Sequence, residues 1–132
     1  MKADTVTLTF DNTFKGEMTS PSGTVPIGAQ DGGVAPYHLL FGALGSCFYA
    51  TFLSVADKMR LSFSDATVTV SGNKRDSVPA TLDHVTIALV IVGGSDETKL
   101  RKAADLGAQY CSIHETVSKV ATIDLEVTFE NK

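Results

Sequence analysis

Two cysteines are the residues of this chain best equipped to do chemistry. Cys47 and Cys111 are its only two cysteines. A thiol can serve as nucleophile, redox partner or metal ligand, or simply as a small buried hydrophobe. The opening stretch MKADTVTLTF lacks the apolar run of a signal peptide, so a cytoplasmic location is expected. In the cytosol a permanent structural disulfide is disfavoured, which leaves free, catalytic or metal-binding thiols. Cys111 and His114 stand three apart and could share one face as ligands; with Cys47 and His38 they would make a Cys₂His₂ set. That spacing fits no zinc motif, so no metal and no other cofactor is expected.

The frame that must position these residues is ordinary in composition. The chain has 132 residues, 43% of them hydrophobic and 20% charged, enough for one domain with a real core spanning residues 1–132. Its formal charge is −4, and Lys and Arg are scattered, the longest basic run being Lys74-Arg75. No nucleic-acid footprint is present. Neither a repeat nor a low-complexity tract interrupts it.

Residues 5–10 alternate Val6, Leu8 and Phe10 with threonines, a strand with one apolar face. Asp11-Asn12 marks a turn, 13–19 a return strand, Pro21-Ser22-Gly23 a second turn and 24–28 a third strand. Pro36 suits the first turn of a helix. From Leu39 to Met59 apolar residues fall at helical spacing, with Phe41, Ala50 and Leu53 off the main stripe, so this helix should be buried on most sides. Cys47 sits in its middle. Gly42 and Gly45 cost roughly 1 kcal/mol each against Ala in a helix, which close packing against another backbone would offset.

Tyr37 to Ala56 is a stretch of 20 residues with no formal charge, long enough to span a bilayer. Its glycines, serines and Thr51 make it only moderately hydrophobic. The strands expected on either side should pair with each other, which favours a buried core helix and no membrane.

Strands follow at 65–72 and 82–92, joined by 73–79, with Val85, Ile87, Leu89 and Ile91 on one face. Ser95 can cap a second helix with Asp96 and Glu97 in its first turn. Leu100, Ala103, Ala104 and Ala108 give that helix its apolar face. Ser112 and Glu115 fit a capping box for a short helix over 113–119. Cys111 would then stand one residue before the cap, beside the positive end that favours a thiolate. A last strand covers 122–129. The order βββ-α-ββ-αα-β reads as α+β.

Pro36-Tyr-His-Leu-Leu-Phe-Gly-Ala-Leu-Gly-Ser-Cys47-Phe, with Cys111 in Tyr-Cys-Ser-Ile-His before a final strand, resembles the OsmC/Ohr signature. The general OsmC-like branch is the nearer match. The resemblance covers nearly the whole chain and implies an α+β fold with antiparallel sheets around a long buried central helix, assembled as an intertwined homodimer. It implies a thiol-dependent peroxidase: Cys47 attacks an organic hydroperoxide, Cys111 resolves the sulfenic acid as a disulfide, and a dithiol reductant resets the pair. It also implies an apolar substrate pocket lined by Phe41, Phe48 and Phe52.

Two features depart from that pattern. Active members carry a glutamate directly after the helix-opening proline, where this chain has Tyr37. They also carry an arginine in the N-terminal meander, and here no arginine precedes Arg60. A nearby cation lowers a thiol pKa, whereas a helix dipole does little at mid-helix. Lys15, His38 and His114 are the replacement cations to consider, and Tyr37 could donate to sulfur or peroxide.

Structural roles compete with each of these. Cys47 could be an inert core thiol, the three phenylalanines core, Tyr37 and His38 helix-start residues, and His114 the interior of a capping box. His84 reads as a solvated strand residue, and Lys58 and Arg60 suit the negative end of the long helix. Two further functions stay open: a module of the same fold that binds a hydrophobic ligand at the dimer interface, and a general thiol-disulfide or persulfide-handling protein.

Overall fold

The computed structural model describes residues 1–132. Its elements run β1 (Thr7–Phe10), β2 (Lys15–Ser20), β3 (Gly23–Gly28), α1 (Pro36–Lys58), β4 (Asp65–Lys74), β5 (Leu82–Val92), α2 (Glu97–Tyr110), α3 (Ser112–Ser118) and β6 (Thr122–Glu130). The order is the expected one and the fold is α+β. The chain divides into two compact units, Met1–Leu40 and Phe41–Lys132.

The first unit is an antiparallel meander, β1-β2-β3, with Leu8 opposite Met18 and Met18 opposite Val25. The Asp11 carboxylate closes the first turn by accepting from the Thr13 amide at 2.8 Å. Gly28 ends β3 with φ +94°, a conformation open to glycine, and a Cβ there would collide with the Phe14 carbonyl. The expected apolar face of β1 exists but is uncovered: Val6 and Leu8 are 45% exposed and Phe10 is 41% exposed.

The second unit is built on the sheet β4-β5-β6 with β5 at its centre. β4 pairs antiparallel to β5, but β6 runs parallel to it. This corrects the expectation of purely antiparallel sheets. The α2–α3 segment between β5 and β6 is a crossover, the kind of connection that parallel pairing requires. Val85, Ile87, Leu89 and Ile91 form the fully buried face of β5.

The strands before α1 pair only among themselves, as do those after it, so the expected pairing across the helix is absent. What seats α1 is packing within the second unit. Leu44, Phe48, Phe52 and Ala56 make one buried stripe at i+4 spacing. A Cβ on Gly45 would lie 3.1 Å from the Val70 side chain, and one on Gly107 of α2 would lie 2.8 Å from Phe52 Cα. Gly45 is therefore a close-approach position, but against valine side chains of β4 and not the backbone expected. Gly42 is not, because nothing lies within 4 Å of its Cβ direction. Burial on most sides also fails within the chain, since Leu40 and Leu53 are exposed. By length and composition Pro36–Lys58 could cross a membrane, but here its apolar stripe packs on protein.

Two helix caps fall one residue from their expected places. Asp96, not Ser95, caps α2, its carboxylate accepting from the Lys99 amide at 3.0 Å. Ser95 is instead occupied with Ser62, through an amide-to-carbonyl bond and a hydroxyl that accepts from the Ser62 amide. Cys111, not Ser112, caps α3.

Candidate thiol site

Cys111 is both the last cap of α2 and the first of α3, a single extended residue (φ −76°, ψ 118°) between two helices. Its carbonyl accepts from the Glu115 amide at 3.0 Å, the first intrahelical bond of α3. Its sulfur accepts from the His114 amide at 3.4 Å. Sulfur thus fills the place usually taken by a Ser or Asp oxygen. The amides of Ser112 and Ile113 belong to the same first turn of α3. These amides are among the groups that favour the ionised form of Cys47 on α1.

Cys47 is half-buried and Cys111 fully buried, and both are free thiols. Burial opposes ionisation of Cys47. Hydrogen bonds from the Cys111 thiol, the Ile113 amide, and the hydroxyl and amide of Ser112 outweigh it and hold its pKa below the ordinary thiol range. Cys111 moves the other way. Burial raises its pKa, and the hydrogen bond it gives to Cys47 and the Cys47 charge raise it further, beyond what the His114 and Ile113 amides recover. The sequence placed Cys111 beside a helix start and expected thiolate character there. The structure corrects this: complete burial dominates at Cys111, and the helix-start donors favour Cys47.

His114 is not the cation expected of it. Burial lowers the pKa of His114, only partly countered by Glu115, so its ring is neutral near pH 7. Its contribution is its backbone amide. His38 uses Nδ1 to accept from the Ala35 amide at 2.9 Å, reaching back from the third helical position to the residue before Pro36. His84 Nε2 contacts Asp124 Oδ2 at 2.6 Å across β5 and β6 instead of being merely solvated. No group of three or more His, Cys, Asp and Glu side chains is placed to hold a metal. Lys15 opens β2 opposite Gly28, and Tyr37 lies in the first turn of α1.

Of the three expected pocket residues, Phe48 and Phe52 are 0% exposed and stack at 6.4 Å between ring centroids, which makes them core. Phe41 does line a pocket, of about 320 Å³, with Gly42, Gly45, Ser46, Tyr49, Val68 and Val70. The α1 members of that lining recur at three- and four-residue spacing on one helix face, and Cys47 falls on another. Sequence reasoning missed Ser112 as a thiol partner because it was assigned to the cap. The Cys-Ser pair at a helix start is the signal that could have found it.

A mixed α+β chain with an interacting thiol pair between a long helix and the start of a short one belongs to the thiol-bearing proteins of this architecture. A family model described as OsmC-like protein matches residues 28–126, and the chain belongs to that family. It is similar to Protein YhfA of Escherichia coli K12, 25% identical over 114 residues that cover 84% of this chain and 85% of the relative. Among solved structures, it resembles a hypothetical protein from Aquifex aeolicus with a TM-score of 0.90 at 22% identity, covering 100% of this chain and 99% of the other. It also resembles an organic hydroperoxide resistance protein OsmC from Legionella pneumophila, with a TM-score of 0.75 at 13% identity over 97% and 98% of the two chains. The two structural likenesses are likenesses of fold.

Proposed function

We propose that this protein is a thiol-dependent peroxidase that reduces organic hydroperoxides. The observation that carries this reading is the opposed acidity of the two thiols: Cys47 is disposed to ionise, and Cys111 stays protonated against it. The Cys47 thiolate attacks the outer peroxide oxygen, the O–O bond breaks, and the alkoxide takes up a proton and leaves as the alcohol. The Cys111 thiol then displaces hydroxide from the Cys47 sulfenic acid, giving a disulfide and water. A dithiol reductant exchanges with that disulfide and restores both thiols. Family membership and the likeness to a protein named for organic hydroperoxide resistance support the same chemistry.

In this reading the working unit is an intertwined homodimer with α1 central to it. The uncovered apolar residues Val6, Leu8, Phe10, Phe14, Leu40 and Leu53 support that assembly. Lys15 and Tyr37 are assigned to substrate contact, since they stand in the meander and at the helix position where active members carry charge. The net charge and the packed α1 support a cytoplasmic protein without nucleic-acid or membrane partners. The test is consumption of cumene hydroperoxide with a dithiol reductant. Turnover by the wild type that vanishes in Cys47→Ser is expected, and equal rates for the two would end the reading.

One observation favours a second function. The pocket beside Phe41 is of ligand size, mostly apolar, and on a different face of α1 from Cys47. A module that holds a hydrophobic ligand there would retain it through purification and show thiols no more reactive than free cysteine.

A further inference from the structure

The two cysteines differ in what can reach them. Cys111 is 0% exposed, whereas Cys47 is only half-buried. Cys111 is also held in place by the elements it joins. It closes α2 and starts α3, its carbonyl accepts from the Glu115 amide at 3.0 Å, and its sulfur accepts from the His114 amide at 3.4 Å. None of these bonds has to break when the sulfur joins Cys47, because a thiol sulfur and a disulfide sulfur are both weak acceptors. Cys111 therefore keeps its enclosure in the oxidised protein. In thiol–disulfide exchange the incoming thiolate must touch the sulfur it attacks, and the other sulfur departs with the electron pair. Two effects oppose each other here. Acidity makes Cys47 the better leaving group, which would direct attack to Cys111. That effect only scales a rate, whereas a fully enclosed sulfur is not attacked until the local fold opens. Access decides between them.

We infer that the reductant attacks the Cys47 sulfur of the disulfide and that Cys111 is the leaving group, so that Cys111 exchanges only with Cys47 and never with a solute. The incoming thiolate bonds to Cys47 Sγ, the S–S bond breaks, and the electron pair goes to Cys111 Sγ, which takes a proton from water. The second thiolate of the reductant then attacks the reductant's own sulfur in the mixed disulfide. The reductant leaves as a cyclic disulfide, and Cys47 is released as the thiolate that meets the next peroxide. Oxidant and reductant thus compete for one opening, at Cys47. This rests on the disulfide cycle proposed above. Diamide, which takes up the two hydrogens of the thiols, makes the same disulfide without a peroxide, so the peroxide step and the direction of reduction fail separately.

The experiment uses the full-length protein oxidised with diamide, with the disulfide confirmed by mass. It is mixed with excess mercaptoethanol, a monothiol that stops at the mixed disulfide, and quenched with acid at successive early times. Peptide mapping then locates the adduct. The earliest adduct should favour Cys47 over Cys111 by about tenfold or more, the size of a modest local opening cost. In urea that unfolds the chain both sulfurs are open and both thiols titrate normally, so the ratio should fall to about one. An early adduct mainly on Cys111, or shared equally in the folded protein, would overturn the inference and leave the peroxide step standing. So would a Cys47 preference kept unchanged in urea, since burial would then not be its source. Failure of diamide to link the two cysteines would overturn the resolving step and this inference together.

Discussion

The Cys111 thiol donates to the Cys47 sulfur, and the two residues meet where the middle of α1 passes the start of α3. Cys111 is fully enclosed; Cys47 is partly open, and hydrogen bonding from the first residues of α3 favours its ionised form. The groups that favour ionisation of Cys47 over Cys111 are the Cys111 thiol, the Ser112 hydroxyl and the amides of Ser112 and Ile113. The activating groups are neutral dipoles in fixed positions.

The two thiols should therefore label at very different rates. Iodoacetamide should modify Cys47 first at pH 7, and its rate should follow the thiolate fraction. A lowered pKa means a larger thiolate fraction at pH 7 than an ordinary thiol has, and the rate falls as the pH drops further below that pKa. Cys111, buried and with a raised pKa, should react slowly until the protein is denatured. Peptide mapping after timed alkylation reads both sites.

Ser112 supplies two of the four donors to Cys47. Ser112→Ala should raise the Cys47 pKa by about one unit, since a hydrogen bond to a charged group contributes roughly 1.5–3 kcal/mol and the amide remains. Ser112→Pro removes hydroxyl and amide together at a first helical position that tolerates proline. It should give the larger shift while the far-ultraviolet circular dichroism is kept. The pH profile of thiol alkylation measures both.

Much of this arrangement was legible in the sequence. Pro36, the apolar stripe from Leu39 to Met59, and the alternation at Val85, Ile87, Leu89 and Ile91 fixed the main elements, because periodicity and proline act locally. What could not be read was partnership. Alternation in Ile123, Leu125, Val127 and Phe129 is the same whether the strand joins its sheet parallel or antiparallel. Ser95 and Asp96 are near-equal caps, and so were Cys111 and Ser112 once sulfur is allowed. The groups that tune Cys47 include two backbone amides, which have no signature in side-chain identity.

Core and pocket phenylalanines should separate by stability. Phe52→Ala, in the closed core against Gly107, should cost about 3–5 kcal/mol in urea unfolding. Phe41→Ala should cost much less, because the residue is only half-buried and borders open space. Gly107→Val should destabilise by about 1–3 kcal/mol by forcing α2 away from the α1 backbone.

Arg60 ends α1 in a left-handed conformation, φ 59°, with its amide bonded to the Asp57 carbonyl and the Leu61 amide to the Ala56 carbonyl. Glycine is the residue suited to that position. Arg60→Gly should raise stability by about 1 kcal/mol, the strain removed at one left-handed residue. A shift in the urea midpoint at unchanged slope checks it.

The most direct test of the account is a single turnover without added reductant. Fully reduced protein is mixed with an equimolar organic hydroperoxide, and free thiols and the alcohol product are followed together. The account predicts loss of both thiols for each alcohol formed, a Cys47–Cys111 disulfide as the product, and a rate far above that of free cysteine. A rate no greater than that of free cysteine, or alcohol formed equally well by Cys47→Ser, would contradict it.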